Sequence, residues 1–128
     1  MGKQPEVATR PKASKLLETQ WKFMHMLPAL ISKAHELGYE FTLGDGYRDP
    51  RAFGIMGTAN GYGQAKSAHK QRLAIDLNLW KDGKYLTKTE DYAALGEYWE
   101  SLGGTWGGRF STGSGDGNHF SIKFGGVA

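Results

Sequence analysis

From Leu73 to Trp80 the sequence reads LAIDLNLW, a strict two-residue alternation. Side chains along a strand point alternately to opposite faces. Leu73, Ile75, Leu77 and Leu79 therefore share one face, and Ala74, Asp76, Asn78 and Trp80 the other. A helical period would scatter the aliphatic residues around the axis. The segment predicts a strand with one face in the core, and a slip of one residue would turn every aliphatic side chain away from it. It also poses a question. Asp76 is a carboxylate in the middle of a core-forming strand, on the second face.

The neighbouring segments build a frame around this strand. Asp82-Gly83 predicts a two-residue hairpin turn with KYL returning. Upstream, Phe23, Leu27, Leu30, Ile31 and Ala34 recur at helical spacing between Thr19 and Leu37, and Gly38 stands where a helix-ending glycine belongs. Pro28 is expected to kink or divide that helix. Tyr39, Phe41 and Leu43 alternate with Glu40, Thr42 and Gly44, which predicts a second half-buried strand. Thr87 and Glu90 have capping-box spacing. They precede a helix carrying Tyr92, Leu95, Trp99 and Leu102, stopped by Gly103-Gly104. At the end, Phe120, Ile122 and Phe124 alternate with His119, Ser121 and Lys123. Between the first two strands, DPRAFGIMGTANGYGQAKSAH predicts a long functional loop with one helical turn. Residues 1–16, with Pro5 and Pro11, are expected to form a flexible arm, and residues 17–128 one domain. The fold class is α+β: a small, mainly antiparallel sheet with helices packed on one face.

A chain of 128 residues suits one core. No run approaches the roughly 20 apolar residues of a membrane span, so no stable membrane insertion is expected. No apolar segment follows the basic residues of the N-terminus, so no secretory signal is expected and the protein is predicted to stay in a cytoplasm until released. There is no Cys, which excludes disulfides and thiolate metal sites. The net charge of +3 favours an anionic partner: nucleic acid, a membrane surface or a cell-wall polymer. Nucleic acid is not expected, because no Lys/Arg cluster appears.

The strand phases place Asp76 and His119 on the face opposite the core. Arg48 joins them if the first strand keeps its phase through Gly44 and Gly46, whose missing side chains would leave room for a ligand. His69 lies an odd number of residues from Asp76, so it must precede the strand, where the glycine-rich loop curls back. His69, Asp76 and His119 can then converge as metal ligands. Two imidazoles and a carboxylate suit Zn²⁺ with a fourth position for water, and other divalent metals accept similar ligands. Asp116, three residues before His119, is the candidate base for hydrolysis. Arg48 can grip a substrate carboxylate, and Ser67 can add a hydrogen bond. Each residue also has an ordinary reading. Asp76 fits an ion-paired surface residue, His119 a strand-surface histidine, Asp116 a turn residue and Arg48 a surface charge. His25 and His35 are expected in solvent, and Tyr92 and Trp99 in the core. Trp80 shares the face of Asp76.

SAHKQRLAID resembles the Ser-x-His-x-x-Gly-x-Ala-x-Asp motif of the D-alanyl-D-alanine carboxypeptidase-like zinc peptidases, related in fold to the hedgehog signalling domain. Ser67, His69, Ala74 and Asp76 match, while Arg72 stands where the motif has Gly. WGGRF and DGNHF together look like the second signature of phage endolysins in this family, and LGDGYR looks like the strand ending in a substrate-binding Arg. The resemblance implies zinc on His69, Asp76 and His119, Asp116 as catalytic base, and Arg48 and Ser67 beside the substrate. It implies cleavage of a peptidoglycan stem peptide, most like the L-alanyl-D-glutamate endopeptidase endolysins. Such an enzyme is expected to be a monomer, held in the host cytoplasm until a holin-type pore lets it reach the wall. The alternatives are a D-alanyl-D-alanine carboxypeptidase or dipeptidase, and a non-catalytic zinc-stabilised wall-binding module.

Overall fold

The computed structural model describes residues 13–44, 68–110 and 115–128. Among the described residues the architecture is α+β, with two helices packed on one face of a small antiparallel sheet. Helix α1 spans Lys15–Glu36. It starts four residues before the predicted Thr19 and takes in the last two residues assigned to the flexible arm. The reason is Ser14, whose Oγ accepts the N–H of Leu17 at 3.1 Å and caps the helix. Of the rest of the predicted arm, residues 1–12 lie outside the described residues. Pro28 sits inside α1 without dividing it. Phe23, Met26, Leu27, Leu30 and Ala34 form its buried face.

Strand β1 spans Glu40–Leu43, β2 Ala74–Lys81 and β3 Lys84–Leu86. A short 3₁₀ turn, Thr89–Tyr92, leads into α2, Ala93–Ser101. Strands β4, Thr105–Trp106, and β5, His119–Ser121, complete the sheet. The predicted Thr87–Glu90 capping box is displaced by one residue. The N–H of Lys88 donates to Asp91 Oδ2 at 3.2 Å instead. Asp82 and Gly83 adopt φ values of 51° and 77°, as the two-residue hairpin turn requires.

Strand β2 is the spine, with β1 antiparallel along one edge. The other edge is shared: β5 pairs with Ala74, Ile75 and Asp76, and β3 with Leu79, Trp80 and Lys81. The Tyr92 hydroxyl accepts the N–H of Leu79 at 3.0 Å and donates to Leu86 O at 3.1 Å, so it bridges β2 and β3. Leu73, Leu77, Leu79, Phe120 and Ile122 bury their side chains with α1 and α2. Phe23, Trp99 and Phe120 pack edge to face at its centre, with ring centroids 5.8 and 5.9 Å apart. Each fully buried side chain of this size contributes roughly 1.5–3 kcal/mol. The alternation predicted for β1 holds through Phe41, but Leu43 is 68% exposed at the strand's end. Trp106 is buried in the core and anchored by its indole N–H to Gly117 O at 2.8 Å. No described helix is long and apolar enough to cross a membrane.

Candidate metal centre

Asp76 and His119 are direct cross-strand partners of β2 and β5. Backbone bonds flank them, from Leu77 N–H to Asn118 O at 2.9 Å and from Ile122 N–H to Leu73 O at 3.0 Å. The pair between such bonds is a non-hydrogen-bonded one, where opposing side chains come closest. The register therefore presses the Asp76 carboxylate against the His119 ring.

His69 reaches the same point from a tight turn. The N–H of Leu73 donates to Ala68 O at 3.0 Å, and that of Arg72 to His69 O at 3.1 Å. These are the two bonds of a Schellman motif, which requires a left-handed residue between them. That residue is Arg72, with φ of 60°. The same turn ends α1, where Tyr39 N–H donates to Ala34 O and Gly38 N–H to His35 O, with Gly38 at φ 87°. AHELGY and AHKQRL thus follow one pattern, and Arg72 occupies the glycine position of the second. The turn reverses the chain just before β2, which resolves the odd spacing between His69 and Asp76. An L-residue pays about 1–2 kcal/mol for this backbone. Arg72→Gly is expected to hold stability or raise it by up to about 1 kcal/mol, and Arg72→Val to lower it by about 1–2 kcal/mol. Chemical denaturation reads both, and a Val variant more stable than the Gly variant would refute a need for left-handed backbone here.

The three side chains meet in a largely enclosed pocket: His69 is 2% exposed, His119 6% and the Asp76 side chain 13%. His69 Nε2 lies 3.3 Å and His119 Nδ1 3.4 Å from Asp76 Oδ1. The imidazole centroids are 5.1 Å apart. One ligand atom from each residue lies within 4.8 Å of the others. Ligand atoms bound at about 2.0–2.1 Å to one tetrahedral zinc stand about 3.3 Å apart, so the spacing fits a shared cation. Asp76 Oδ1 is buried with no hydrogen-bond partner among the described residues. Such an atom is costly to bury unless something satisfies it, and a cation does so. Burial alone would raise the Asp76 carboxyl. The interactions with His119 and His69 outweigh it and lower the group from 3.8 to about 2. Asp76 is therefore ionised at neutral pH, as a metal ligand must be.

The surroundings hold this geometry. Gly44 N–H donates to Asp76 O at 2.7 Å, and a Cβ at Gly44 would stand 2.9 Å from that oxygen. Its bare backbone makes room for β2 itself, not for a ligand as the sequence suggested. A Cβ at Gly107 would collide with Asp116 O at 2.2 Å and His119 Cβ at 2.7 Å. That close approach lets Asp116 N–H donate to Gly107 O at 2.9 Å, while His119 N–H donates to Asp116 O at 3.1 Å. The DGNH turn thereby fixes the backbone of Asp116, an exposed residue, relative to His119. Phe110 lies against the His119 ring at 5.2 Å.

The structure brings together His69, Asp76 and His119 and places Asp116 one turn from His119. Arg48, Ser67 and Gly46 lie outside the described residues. Two further residues belong to the neighbourhood: Asn118 Nδ2 donates to Asn78 Oδ1 at 3.2 Å, beside the pocket. Asn78 was visible as the next residue on the face of Asp76, and Asn118 as the residue before His119. Ser121, fully buried on the same face, also has an Oγ without a hydrogen-bond partner among the described residues. His25 and His35 are exposed, the latter 3.4 Å from Glu40.

Comparison with known proteins adds two findings. Residues 60–122 match the sequence model of a peptidase family described as D-alanyl-D-alanine carboxypeptidase. That stretch takes in Ser67, His69, Asp76, Asp116 and His119, and it bears out the resemblance carried by the motifs. The fold matches the crystal structure of the Serratia marcescens L-Ala D-Glu endopeptidase ChiX with a TM-score of 0.58 and 22% identity, over 88% of this chain and 90% of that one. No curated protein matches the chain in sequence.

Proposed function

We propose that the protein is a zinc-dependent peptidase that hydrolyses a stem-peptide bond of peptidoglycan, the L-alanyl-D-glutamate bond, and serves as a phage endolysin. The observation that carries this reading is the convergence of His69, Asp76 and His119 on one enclosed point. The family match and the fold shared with an endopeptidase support it. When bound, zinc supplies Lewis-acid polarisation of the scissile carbonyl and lowers the pKa of water. His69, Asp76 and His119 hold the ion. Asp116 takes the proton from the attacking water and delivers it to the departing amine, which breaks the C–N bond. Arg48 grips a substrate carboxylate, and Ser67 hydrogen-bonds the substrate.

Digestion of purified sacculi, with released fragments identified by mass spectrometry, tests the reading. New N-terminal D-glutamate is the expected product. Free D-alanine would establish the carboxypeptidase alternative, which the description of the matching family favours. Intact stem peptides after incubation with folded, zinc-loaded protein would refute hydrolysis and leave a wall-binding module.

A further inference from the structure

Helix α1 carries two apolar faces, and the core uses one of them. Phe23, Met26, Leu27, Leu30 and Ala34 are buried in it. Leu17, Trp21, Met24 and Pro28 follow one another at intervals of four, three and four residues, so they form a second stripe along the helix. That stripe lies in solvent. Leu17 is 38% exposed, Trp21 53% and Met24 62%, and Pro28 is exposed as well. Single exposed apolar residues are ordinary, but a row of them over about three turns marks an interaction surface. The helix that bears the row is held in place. Ser14 caps its start, Gln20 Nε2 donates to Gln71 O at 2.8 Å, and the Lys33 ammonium lies 5.2 Å from the centre of the Tyr98 ring. The surface is therefore preformed, and no ordering of the helix opposes binding.

The distribution of charge selects the occupant. Residues 1–25 contain Lys3, Arg10, Lys12, Lys15 and Lys22 against Glu6 and Glu18, which is the whole of the net charge of +3. In residues 26–128 acidic and basic side chains are equal in number. A divalent cation at the metal centre would add to the positive sign and not oppose it. Round α1 from Trp21, at about 100° per residue, come His25 and Glu18 and then Lys22 and Lys15, all of them exposed. A second copy of the chain would bring two basic segments together, which is unfavourable. A glycan or nucleic-acid strand would meet the charge but leave Leu17 and Met24 in water. An anionic bilayer surface satisfies both. Aliphatic side chains enter the acyl boundary, a Trp ring sits at the headgroup level, and Lys stems reach the phosphates. Helix α1 is not long and apolar enough to cross a bilayer, so such a contact lies along the surface.

We propose that the exposed face of α1, Leu17, Trp21, Met24 and Pro28 with Lys15 and Lys22, docks the protein reversibly on anionic lipid bilayers. The docking face is independent of the peptidase reading, because its test reads binding alone. The full chain is floated with vesicles of mixed phosphatidylethanolamine and phosphatidylglycerol, and with phosphatidylcholine vesicles as the neutral reference. Partition is expected to be about tenfold or more stronger on the anionic vesicles and to fall as salt rises. Trp21→Ser combined with Met24→Ser is expected to lower it about tenfold or more. Lys15→Gln combined with Lys22→Gln is expected to lower it by a similar factor on the anionic vesicles alone. All four side chains are at the surface, so circular dichroism of both variants should match that of the native chain. No partition onto anionic vesicles, equal partition onto both kinds of vesicle, or unchanged partition of either variant would each overturn the docking face. A dimer in sedimentation velocity that the Trp21/Met24 variant abolishes, without vesicle partition, would assign the stripe to a second copy instead. Unfolding of that variant in a protein that ignores vesicles would assign it to contacts within the chain.

Discussion

Asp76→Asn is expected to abolish tight metal binding while leaving the fold intact. Asn preserves the size of the side chain but removes the negative charge that the two imidazoles face and that a bound divalent cation would share. Structural zinc sites have apparent binding free energies of about 10–16 kcal/mol, so one ligand in three accounts for about 3–5 kcal/mol, or roughly 10²–10⁴ in affinity. The fold should persist because the register of β2 and β5 is set elsewhere. Backbone bonds join Leu77 to Asn118 and Ile122 to Leu73, and Phe120 and Leu73 are fully buried in the core. Titration calorimetry and metal content after dialysis measure the loss, with circular dichroism as the control for folding. A folded variant with unchanged affinity and stoichiometry would remove Asp76 from the ligand set. Hydrolysis should fall with metal occupancy and return in part at high added zinc, since His69 and His119 remain.

The second large effect separates catalysis from metal binding. Asp116→Asn is expected to keep the metal and to lower kcat by about 10²–10⁴, the usual contribution of a general base. Two of the ties that fix the turn at Asp116 are backbone bonds, to Gly107 and from His119, and Asn leaves both in place. KM should stay within a few-fold of the native value, because a general base acts on the proton in flight and not on the bound ground state. Metal content, kcat and KM on a purified stem-peptide substrate are the required measurements. Loss of metal together with activity would assign the Asp116 side chain a structural role in the turn. A native kcat would exclude it as the base.

The parts of this protein differ in how openly the sequence displays them. The alternation in LAIDLNLW is local, and β2 follows it with Leu73, Leu77 and Leu79 buried and Ile75 partly buried on one face, although Ala74 on the other face is buried as well. Helix α1 was visible from its apolar stripe, but its start was not, because the prolines upstream obscured the capping role of Ser14. The cap before α2 was misread by one residue, since Thr87/Glu90 and Lys88/Asp91 have the same spacing and only the path of the chain out of β3 selects between them. Arg72 looked like a defect in a glycine motif. The φ of 60° shows that the backbone keeps the glycine conformation and Arg adopts it. The sharing of one edge of β2 by β3 and β5 had no signal at all, because it is a property of their common partner and is carried by neither strand alone.

What the sequence determined by itself is which side chains of each strand lie together, because a period of two is a property of neighbouring residues. Asp76 and His119 were placed opposite the core by that rule alone. What only the tertiary structure decided is that β2 and β5 are adjacent, that Asp76 faces His119 across 43 residues of chain, and that a left-handed turn brings His69 back to meet them. Those facts arise from long-range pairing and from one backbone torsion, and the physical cause lies in the packing of Leu73, Phe120 and Trp99 against the helices, which no local stretch of sequence contains.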